Sequence, residues 1–231
     1  MLIFGHRGAP LIKPENTIAS FEVALSQNVD GIELDIQLTS DGKIIVFHDF
    51  TIIDHHQKEH LIKNLSFNDI QSLCPKIIIP TLNDVCQIFP SDKILNIEIK
   101  SQNLHNKLIV EQTIQTITKH GLNDNSIISS FNPFVLLTIK KINSQIKIGL
   151  LWSQSPTTPW FVTHYSANQL EPYSFHASIH YMNDKIANWV IKNNMKLFFY
   201  TINTESELNK AKLFNADGIF SDDPNILNTK I

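Results

Sequence analysis

The stretch LIFGHRGAPLIKPENTIASFEVALSQNVDGIELDI, residues 2–36, contains one complete unit of strand, helix and strand. Residues 2–6 and 31–36 are short apolar runs rich in Ile and Phe, which favours strands, and residues 16–28 carry a helical pattern between them. Such a unit is typical of parallel strands joined by a crossover helix. The fold therefore depends on whether this unit repeats along the chain.

The same alternation continues to the end of the chain. The sequence predicts nine strands, at 2–6, 31–36, 43–49, 94–100, 126–131, 147–152, 177–181, 196–202 and 217–222. It predicts helices at 16–28, 66–73, 81–89, 104–120, 133–143, 183–194 and 205–215. At 231 residues, repeated βα units favour an α/β fold of the closed (β/α)₈ TIM-barrel type over an open sheet.

Several predicted helices begin at residues that suit helix starts. Ser66, Thr81 and Thr204 each precede an acidic residue by three positions, as in a capping box, and Asn132 precedes a proline at the first helical position. These signals support the predicted helix boundaries.

One connection does not fit the repeat. Only seven residues separate Asp35 from Lys43, too few for a crossover helix, so either this connection is irregular or one candidate is not a barrel strand. We expect one domain over residues 1–231, with an irregular connection between the second and third strands and a short insertion after the third, at about 50–80. Residues 50–80 and 153–175 are predicted to be loop-rich.

Composition excludes several classes of protein. A formal net charge of −3 with singly scattered lysines offers no basic stripe for nucleic acid. The first residues lack the charged and apolar pattern of an export signal, and no segment approaches about 20 apolar residues, so we expect a cytoplasmic protein without stable membrane insertion. Cys74 and Cys86 are too few for a disulfide scaffold or a zinc site and are predicted to lie in the core.

Two predicted strands carry polar residues at every second position. Glu33 and Asp35 alternate with aliphatic residues in the second strand, as do Asn96, Glu98 and Lys100 in the fourth. A solvent-exposed face of an antiparallel sheet would give the same pattern. Parallel strands are usually covered on both faces, however, so these carboxylates are expected to be buried together. Three carboxylates at the carboxyl ends of barrel strands suit one hard divalent cation, Mg²⁺ or Ca²⁺.

Two histidines end predicted strands near the same carboxylates. His6 ends the first and His48 lies at the end of the third; each alone could be a structural histidine, but together they suit a general acid and base. A second group, at positions 55, 56 and 60, could bind a metal, although a solvated loop is the favoured interpretation.

Arg7 is the only arginine in a chain with eighteen lysines. It could be a remnant of codon drift, but a guanidinium presents a planar fork that binds two oxygens of a carboxylate or phosphate, which an ammonium does not. Gly5 and Gly8 beside it suit a tight turn close to an anion. A cation site, a guanidinium, an ammonium and two proton-transfer groups together favour a phosphate ester as substrate.

These residues also carry a family resemblance. Seven segments resemble the motifs of the glycerophosphodiester phosphodiesterase family and follow the same order. They are HRGAPLIKPENT (6–17), GIELDIQLTSDGKIIVFHD (31–49), IPTL (79–82), LNIEIK (95–100), SSFN (129–132), YTIN (200–203) and ADGIFSDDP (216–224). The resemblance implies a TIM-barrel, metal-dependent hydrolase that converts small glycerophosphodiesters into sn-glycerol 3-phosphate and an alcohol.

The resemblance also implies roles for individual residues. It assigns the acid and base to His6 and His48, the metal to Glu33, Asp35 and Glu98, phosphate or substrate contacts to Arg7, Lys100, Phe131 and Tyr200, and a supporting position to Glu15 and Asn16. The chain departs from the family at Tyr200, where tryptophan is usual, at Ser221, where threonine is usual, and in FTIIDHHQKEHLIKN (50–64), which replaces an Arg-Thr-Thr-rich segment. This last segment usually shapes the alcohol side of the pocket, so the head group stays open.

Two other functions remain possible from the sequence. One is a phospholipase C- or D-like phosphodiesterase acting on lysolipids or phosphoinositides, and the other is a barrel that binds phosphate or metal without catalysis. The sequence leaves open the native metal, the oligomeric state, and whether water attacks phosphorus directly or opens a cyclic phosphate formed by the glycerol 2-hydroxyl.

Overall fold

A computed structural model describes residues 1–54, 56–101, 107–155 and 159–225. Its strands are β1 (Leu2–His6), β2 (Gly31–Leu38), β3 (Ile44–Val46), β4 (Thr51–Ile53), β5 (Glu59–Leu61), β6 (Ile94–Ile99), β7 (Ser126–Ser130), β8 (Lys147–Trp152), β9 (Ser174–Ser178), β10 (Lys196–Tyr200) and β11 (Gly218–Ser221). Its helices are α1 (Ile18–Ser26), α2 (Phe67–Leu73), α3 (Leu82–Ile88), α4 (Lys107–Lys119), α5 (Pro133–Ile142), α6 (Trp160–Leu170), α7 (Asp184–Lys192) and α8 (Glu205–Leu213). The first residues of the helix predicted at 104–120 lie outside the described residues.

Eight parallel strands close into a barrel. Their order is β1, β11, β10, β9, β8, β7, β6 and β2, and β2 pairs back onto β1, so the sheet has no free edge among these eight strands. The helices surround it, which confirms the predicted single-domain TIM barrel.

The short link after Asp35 is explained by a change of strand direction. β3 runs antiparallel to β2, with Ile36 opposite Val46, because a connection this short can only turn back. The candidate at 43–49 is therefore not a barrel strand, and His48 lies beyond the end of β3.

The insertion predicted to be loop-rich at 50–80 has a core of its own. Strands β4 and β5 form a hairpin, and α2 packs nearby. Four of its residues are buried in one cluster with Ile45 of β3: Ile52, Ile62, Ile70 and Ile79.

The second loop-rich prediction, at 153–175, was wrong. Helix α6 occupies Trp160–Leu170, and its start at Pro159 lacks a side-chain cap, which removes the signal that marked other helices. The next strand begins earlier than predicted, at Ser174 rather than residue 177. By contrast, the capping boxes at Ser66, Thr81 and Thr204 and the Asn132 cap are all present.

Alternation along the strands divides apolar from polar side chains. Ile32, Leu34 and Ile36 of β2 pack into the main core, between the barrel and its helices, where Cys86 is also buried. Glu33 and Asp35, which alternate with them, lie on the other side of the strand. The aliphatic residues thus pack against the helices, and the two carboxylates face the barrel interior.

Apolar rings close the interior at the amino-terminal end of the barrel. Phe4, Ile127, Phe198 and Phe220 form a separate buried cluster, with ring centroids 5.1 Å apart for Phe4 and Phe220. The open end of the barrel is therefore the carboxyl end.

Among the described residues, no helix has both the length and the apolar composition that a membrane-spanning helix needs.

Candidate active site

A tight turn after β1 brings the backbone to the carboxylates. Arg7 and Gly8 both have positive φ, 56° and 91°, and a Cβ on Gly8 would lie 2.7 Å from the Ser20 carbonyl carbon, so a side chain does not fit there. The Arg7 amide donates a hydrogen bond of 3.0 Å to Glu33 Oε2. A non-glycine residue in this conformation is strained, and strain of this kind is concentrated at functional sites.

Three carboxylates converge at the open end of the barrel, Glu33 and Asp35 buried and Glu98 slightly exposed. Ligand oxygens of Glu33, Asp35 and Glu98 all lie within 4.8 Å of one another, and β2 and β6 place Asp35 directly opposite Glu98. Burial raises the pKa of Glu33 well above its usual range, and the neighbouring charges of Asp35 and Glu98 raise it further. Burial likewise raises the pKa of Glu98 to about 7, with Asp35 adding to the effect.

Two cationic side chains lie on this cluster. Lys100 Nζ is 3.2 Å from Glu98 Oε1 and 3.7 Å from Asp35 Oδ1, and Arg7 Nε is 3.3 Å from Asp35 Oδ2. Burial acts to lower the pKa of Arg7, but the surrounding carboxylates outweigh it and raise that pKa. If all five groups are ionised, the three negative and two positive charges give the cluster a net charge of −1. A bound divalent cation would make this net charge positive.

Two residues of the turn before α1 support these groups. Arg7 Nη1 donates to both Glu15 oxygens at 3.1 Å. Asn16 holds Asp35 from two sides, because its Nδ2 donates to Asp35 Oδ2 at 3.0 Å and its Oδ1 accepts from the Asp35 amide at 3.2 Å. The structure therefore brings Glu15 and Asn16 to the positions from which a supporting role was predicted.

Each of the two histidines has a carboxylate partner. His6 Nδ1 is 2.7 Å from Asp222 Oδ1, and its Nε2 is 4.0 Å from Glu33 Oε2. His48 Nδ1 is 2.6 Å from Asp49 Oδ1. Burial lowers the pKa of His48, which favours its neutral form.

Asp222 is a site residue that the sequence did not single out. Its second oxygen accepts from Asn203 Nδ2 at 2.6 Å, and Asn203 Oδ1 accepts from the Asp222 amide at 2.9 Å. Burial opposes ionisation of Asp222, but the hydrogen bond and charge of His6 lower its pKa overall. Both residues lie within the motifs at 200–203 and 216–224, and this was the only signal that could have found them.

Both histidines, both cationic side chains and two of the three carboxylates, Glu33 and Glu98, line one cavity of about 270 Å³. Phe131 and Tyr200 form an aromatic wall, with ring centroids 6.3 Å apart and rings nearly perpendicular, and the Tyr200 hydroxyl donates to the Trp152 carbonyl at 2.8 Å. The cavity lining includes His6, Arg7, Glu33, His48, Asn96, Glu98, Lys100, Phe131, His176 and Tyr200.

The histidine group of the insertion is separate from this cavity. His60 Nε2 is 2.9 Å from Asp54 Oδ2, whose Oδ1 accepts the His56 amide, while His55 lies outside the described residues. Within the described ranges, the carboxylates Glu33, Asp35 and Glu98 are the one group of three or more potential ligands that converge.

The chain is similar to known proteins over nearly its whole length. The model of the glycerophosphoryl diester phosphodiesterase family matches residues 6–226. The chain is 35% identical to a glycerophosphodiester phosphodiesterase of Caldanaerobacter subterraneus subsp. tengcongensis, with 98% of this chain and 96% of that protein covered.

Solved structures share the fold. A phosphodiesterase of Oleispira antarctica in complex with the product sn-glycerol 3-phosphate has a TM-score of 0.85 and 23% identity, covering 99% of this chain and 96% of that one. A glycerophosphodiester phosphodiesterase of Thermotoga maritima has a TM-score of 0.82 and 24% identity, covering 99% and 97%. With the family model matched over nearly its whole length, the chain belongs to the glycerophosphodiester phosphodiesterase family and is a phosphoric diester hydrolase.

Proposed function

We propose that this chain hydrolyses glycerophosphodiesters to sn-glycerol 3-phosphate and an alcohol, with a divalent cation and two histidines. The observation that carries the proposal is the convergence, on one cavity, of three carboxylates, two cationic side chains and the two histidines. The substrate assignment is supported by the family and by the Oleispira antarctica structure, which contains the product.

The carboxylates suit a hard cation. Glu33, Asp35 and Glu98 offer oxygen ligands only, which matches the preference of Mg²⁺ and Ca²⁺. Burial and repulsion between the carboxylates raise the pKa values of Glu33 and Glu98, and a bound cation would favour the ionised form of both. Once bound, the cation would supply Lewis-acid stabilisation of the phosphoryl oxygens.

Arg7 and Lys100 are the proposed phosphate contacts. Both line the cavity, and both are paired with carboxylates, so that their charges are held at its mouth rather than in bulk solvent. Glu15 accepts hydrogen bonds from Arg7 Nη1, and Asp35 Oδ2 lies 3.3 Å from Arg7 Nε, so the two carboxylates together fix the orientation of the guanidinium. Phe131 and Tyr200 would border the ester opposite these charges.

His6 and His48 are the proposed proton-transfer groups. One removes a proton from the attacking oxygen and the other protonates the leaving oxygen. Their Nδ1 atoms are held by Asp222 and Asp49, which leaves Nε2 of each ring for the substrate and fixes the ring orientation. Glu15 and Asn16 act indirectly, by holding Arg7 and Asp35 in place.

A direct assay tests the proposal. Release of sn-glycerol 3-phosphate from glycerophosphocholine should require a divalent cation, should stop with EDTA, and should return when Mg²⁺, Ca²⁺ or Mn²⁺ is added back. A panel of glycerophosphodiesters assayed against these three ions would then define the head group and the metal. Full turnover in EDTA would contradict the metal-dependent mechanism, and absence of turnover with every ion and substrate would contradict the proposed reaction.

A further inference from the structure

His48 lies on a bend outside the barrel, whereas His6 lies on a barrel strand. His6 is held in register by β1, opposite Glu33 of β2. β3 ends at Val46, and residues 48–50 form a bend that belongs to no strand. Because a displacement of about 1 Å in a catalytic site can lower the rate about 100-fold, His48 needs an anchor that a strand does not supply.

The hydrogen bond between His48 and Asp49 is not that anchor. Asp49 Oδ1 is 2.6 Å from His48 Nδ1, but the two residues are consecutive in the chain and move together with the bend. The Asp49 side chain is also 70% exposed, so packing against the barrel does not hold it. The pair therefore orients the ring relative to its own backbone, and another contact must fix that backbone relative to the cavity.

The side chain of Gln37 reaches the bend from the barrel. Gln37 lies two positions after Asp35 on the same side of β2, and it is 4% exposed. Its Nε2 donates to three consecutive carbonyls, those of Phe47 at 2.9 Å, His48 at 3.2 Å and Asp49 at 2.7 Å. The opposite amide orientation would place Oε1 against three carbonyl oxygens, so the acceptors settle which atom faces the bend.

The backbone of the bend has few other hydrogen bonds. Among the described residues, the backbone groups of His48 and Asp49 have no hydrogen-bond partner other than Gln37. The nearest backbone hydrogen bonds lie on either side, at the Phe47 amide, which donates to a carbonyl of β2 at 3.0 Å, and at the Phe50 carbonyl, which accepts from an amide of the insertion at 2.9 Å. Gln37 thus supplies the contact that ties the centre of the bend to a barrel strand.

We propose that Gln37 is a positioning residue for His48. The inference rests on the proposed function, because it takes His48 as a proton-transfer group. Gln37 and the carboxylates of Glu33 and Asp35 belong to the same strand and lie on the same side of it. The Gln37 amide therefore gives the His48 ring and the carboxylates a common frame, so that the proton-transfer group keeps a fixed position relative to the site.

The test is steady-state hydrolysis of glycerophosphocholine by Gln37→Met, which keeps the length of the side chain and removes the donor. kcat should fall about 10- to 100-fold because the ring loses its position, and KM should stay within about threefold because Gln37 does not line the cavity. Gln71→Met is the matched control, since Gln71 Nε2 also donates to a backbone carbonyl of the insertion, that of Ile79 at 2.8 Å. This carbonyl lies outside the bend, so the control should keep wild-type kcat.

The same substitution in a His48→Ala background separates positioning from a general structural effect. If Gln37 acts through His48, Gln37→Met should lower the residual kcat of His48→Ala by less than about twofold, since the group that it positions is absent. An equal loss in both backgrounds would overturn the proposal, as would wild-type kcat in folded Gln37→Met. If Gln37→Met does not fold, Gln37→Asn replaces it with the same expected pattern, because its amide is one methylene too short to reach the three carbonyls.

A measurement without substrate separates this inference from the proposed function. Order parameters of the His48 and Asp49 backbone amides, measured by NMR relaxation, should fall in Gln37→Met and stay at the wild-type value in Gln71→Met. If they do so but no glycerophosphodiester is hydrolysed by the wild type, the proposed function fails and the anchoring of the bend by Gln37 stands. Unchanged order parameters in Gln37→Met would overturn the anchoring itself.

Discussion

Replacing Asp222 by Asn should impair turnover through His6 without touching the substrate. Asp222 accepts from two donors, His6 Nδ1 at 2.7 Å and Asn203 Nδ2 at 2.6 Å. An amide has one acceptor oxygen, so Asp222→Asn must turn an N–H group toward either His6 or Asn203. If the N–H group faces His6, the imidazole is left in the wrong tautomer. If it faces Asn203, the hydrogen bond from Asn203 Nδ2 is lost. In both orientations the negative charge beside His6 is lost.

The magnitude follows from the bond that is lost. A hydrogen bond to a charged group contributes about 1.5 to 3 kcal/mol. At about 1.36 kcal/mol per factor of ten, this corresponds to a decrease in kcat of about 10- to 150-fold. KM should change little, because Asp222 orients the ring and does not line the cavity.

The assay is steady-state hydrolysis of glycerophosphocholine, with the melting temperature measured in parallel. Asp223→Asn is the matched control, since the neighbouring Asp223 carboxylate accepts only the Asn225 amide, at 3.1 Å, among the hydrogen bonds described for it. It should leave kcat and KM near their wild-type values. A folded Asp222→Asn protein with wild-type kcat would refute the positioning role, and a rise in KM at constant kcat would assign Asp222 to substrate binding instead.

Four further predictions concern the site and the insertion. His6→Ala and His48→Ala should each lower kcat by about 10²- to 10⁴-fold with a modest change in KM, and near-normal turnover in both would place the proton transfers elsewhere. Arg7→Lys should lower kcat/KM by about 10- to 100-fold, since lysine keeps the positive charge but lacks the planar guanidinium that binds two oxygens. Unchanged activity would favour codon drift. A fall in melting temperature that accounts for the loss of activity would make the ion pair of Arg7 with Glu15 purely structural. Mg²⁺ or Ca²⁺ should raise the melting temperature of EDTA-treated protein, and the absence of any shift would count against a cation at the three carboxylates. The hydrogen bond from His60 lowers the pKa of Asp54 to about 2, below its unfolded value of about 3.9. The ionised Asp54 side chain therefore contributes fully to stability above about pH 4, and this contribution is lost as the pH falls toward 2. The difference in melting temperature between wild type and Asp54→Asn should narrow over that range, and a constant difference would exclude this linkage.

Much of the architecture was predictable because local patterns determine it. The strand and helix repeat gave the barrel, and side-chain caps at Ser66, Thr81 and Thr204 gave helix starts within a residue or two. Helix α6 was missed because its start has no capping side chain, so nothing in the local sequence marked it. The antiparallel direction of β3 was left open, since a short link limits the connection but does not state which strand departs from the barrel.

The sequence by itself determined which carboxylates meet. Glu33, Asp35 and Glu98 alternate with aliphatic residues, and in a barrel this alternation directs them inward on adjacent strands, where they lie within 4.8 Å. Only the tertiary structure decided the partners of His6 and the composition of the cavity lining. Asp222 lies 216 positions from His6, and Asn96 reaches Ser129 across 33 positions, so these contacts depend on barrel closure and strand register. Periodicity within one strand fixes the face on which a side chain lies, but its partner on another strand is set by the three-dimensional packing of the whole barrel.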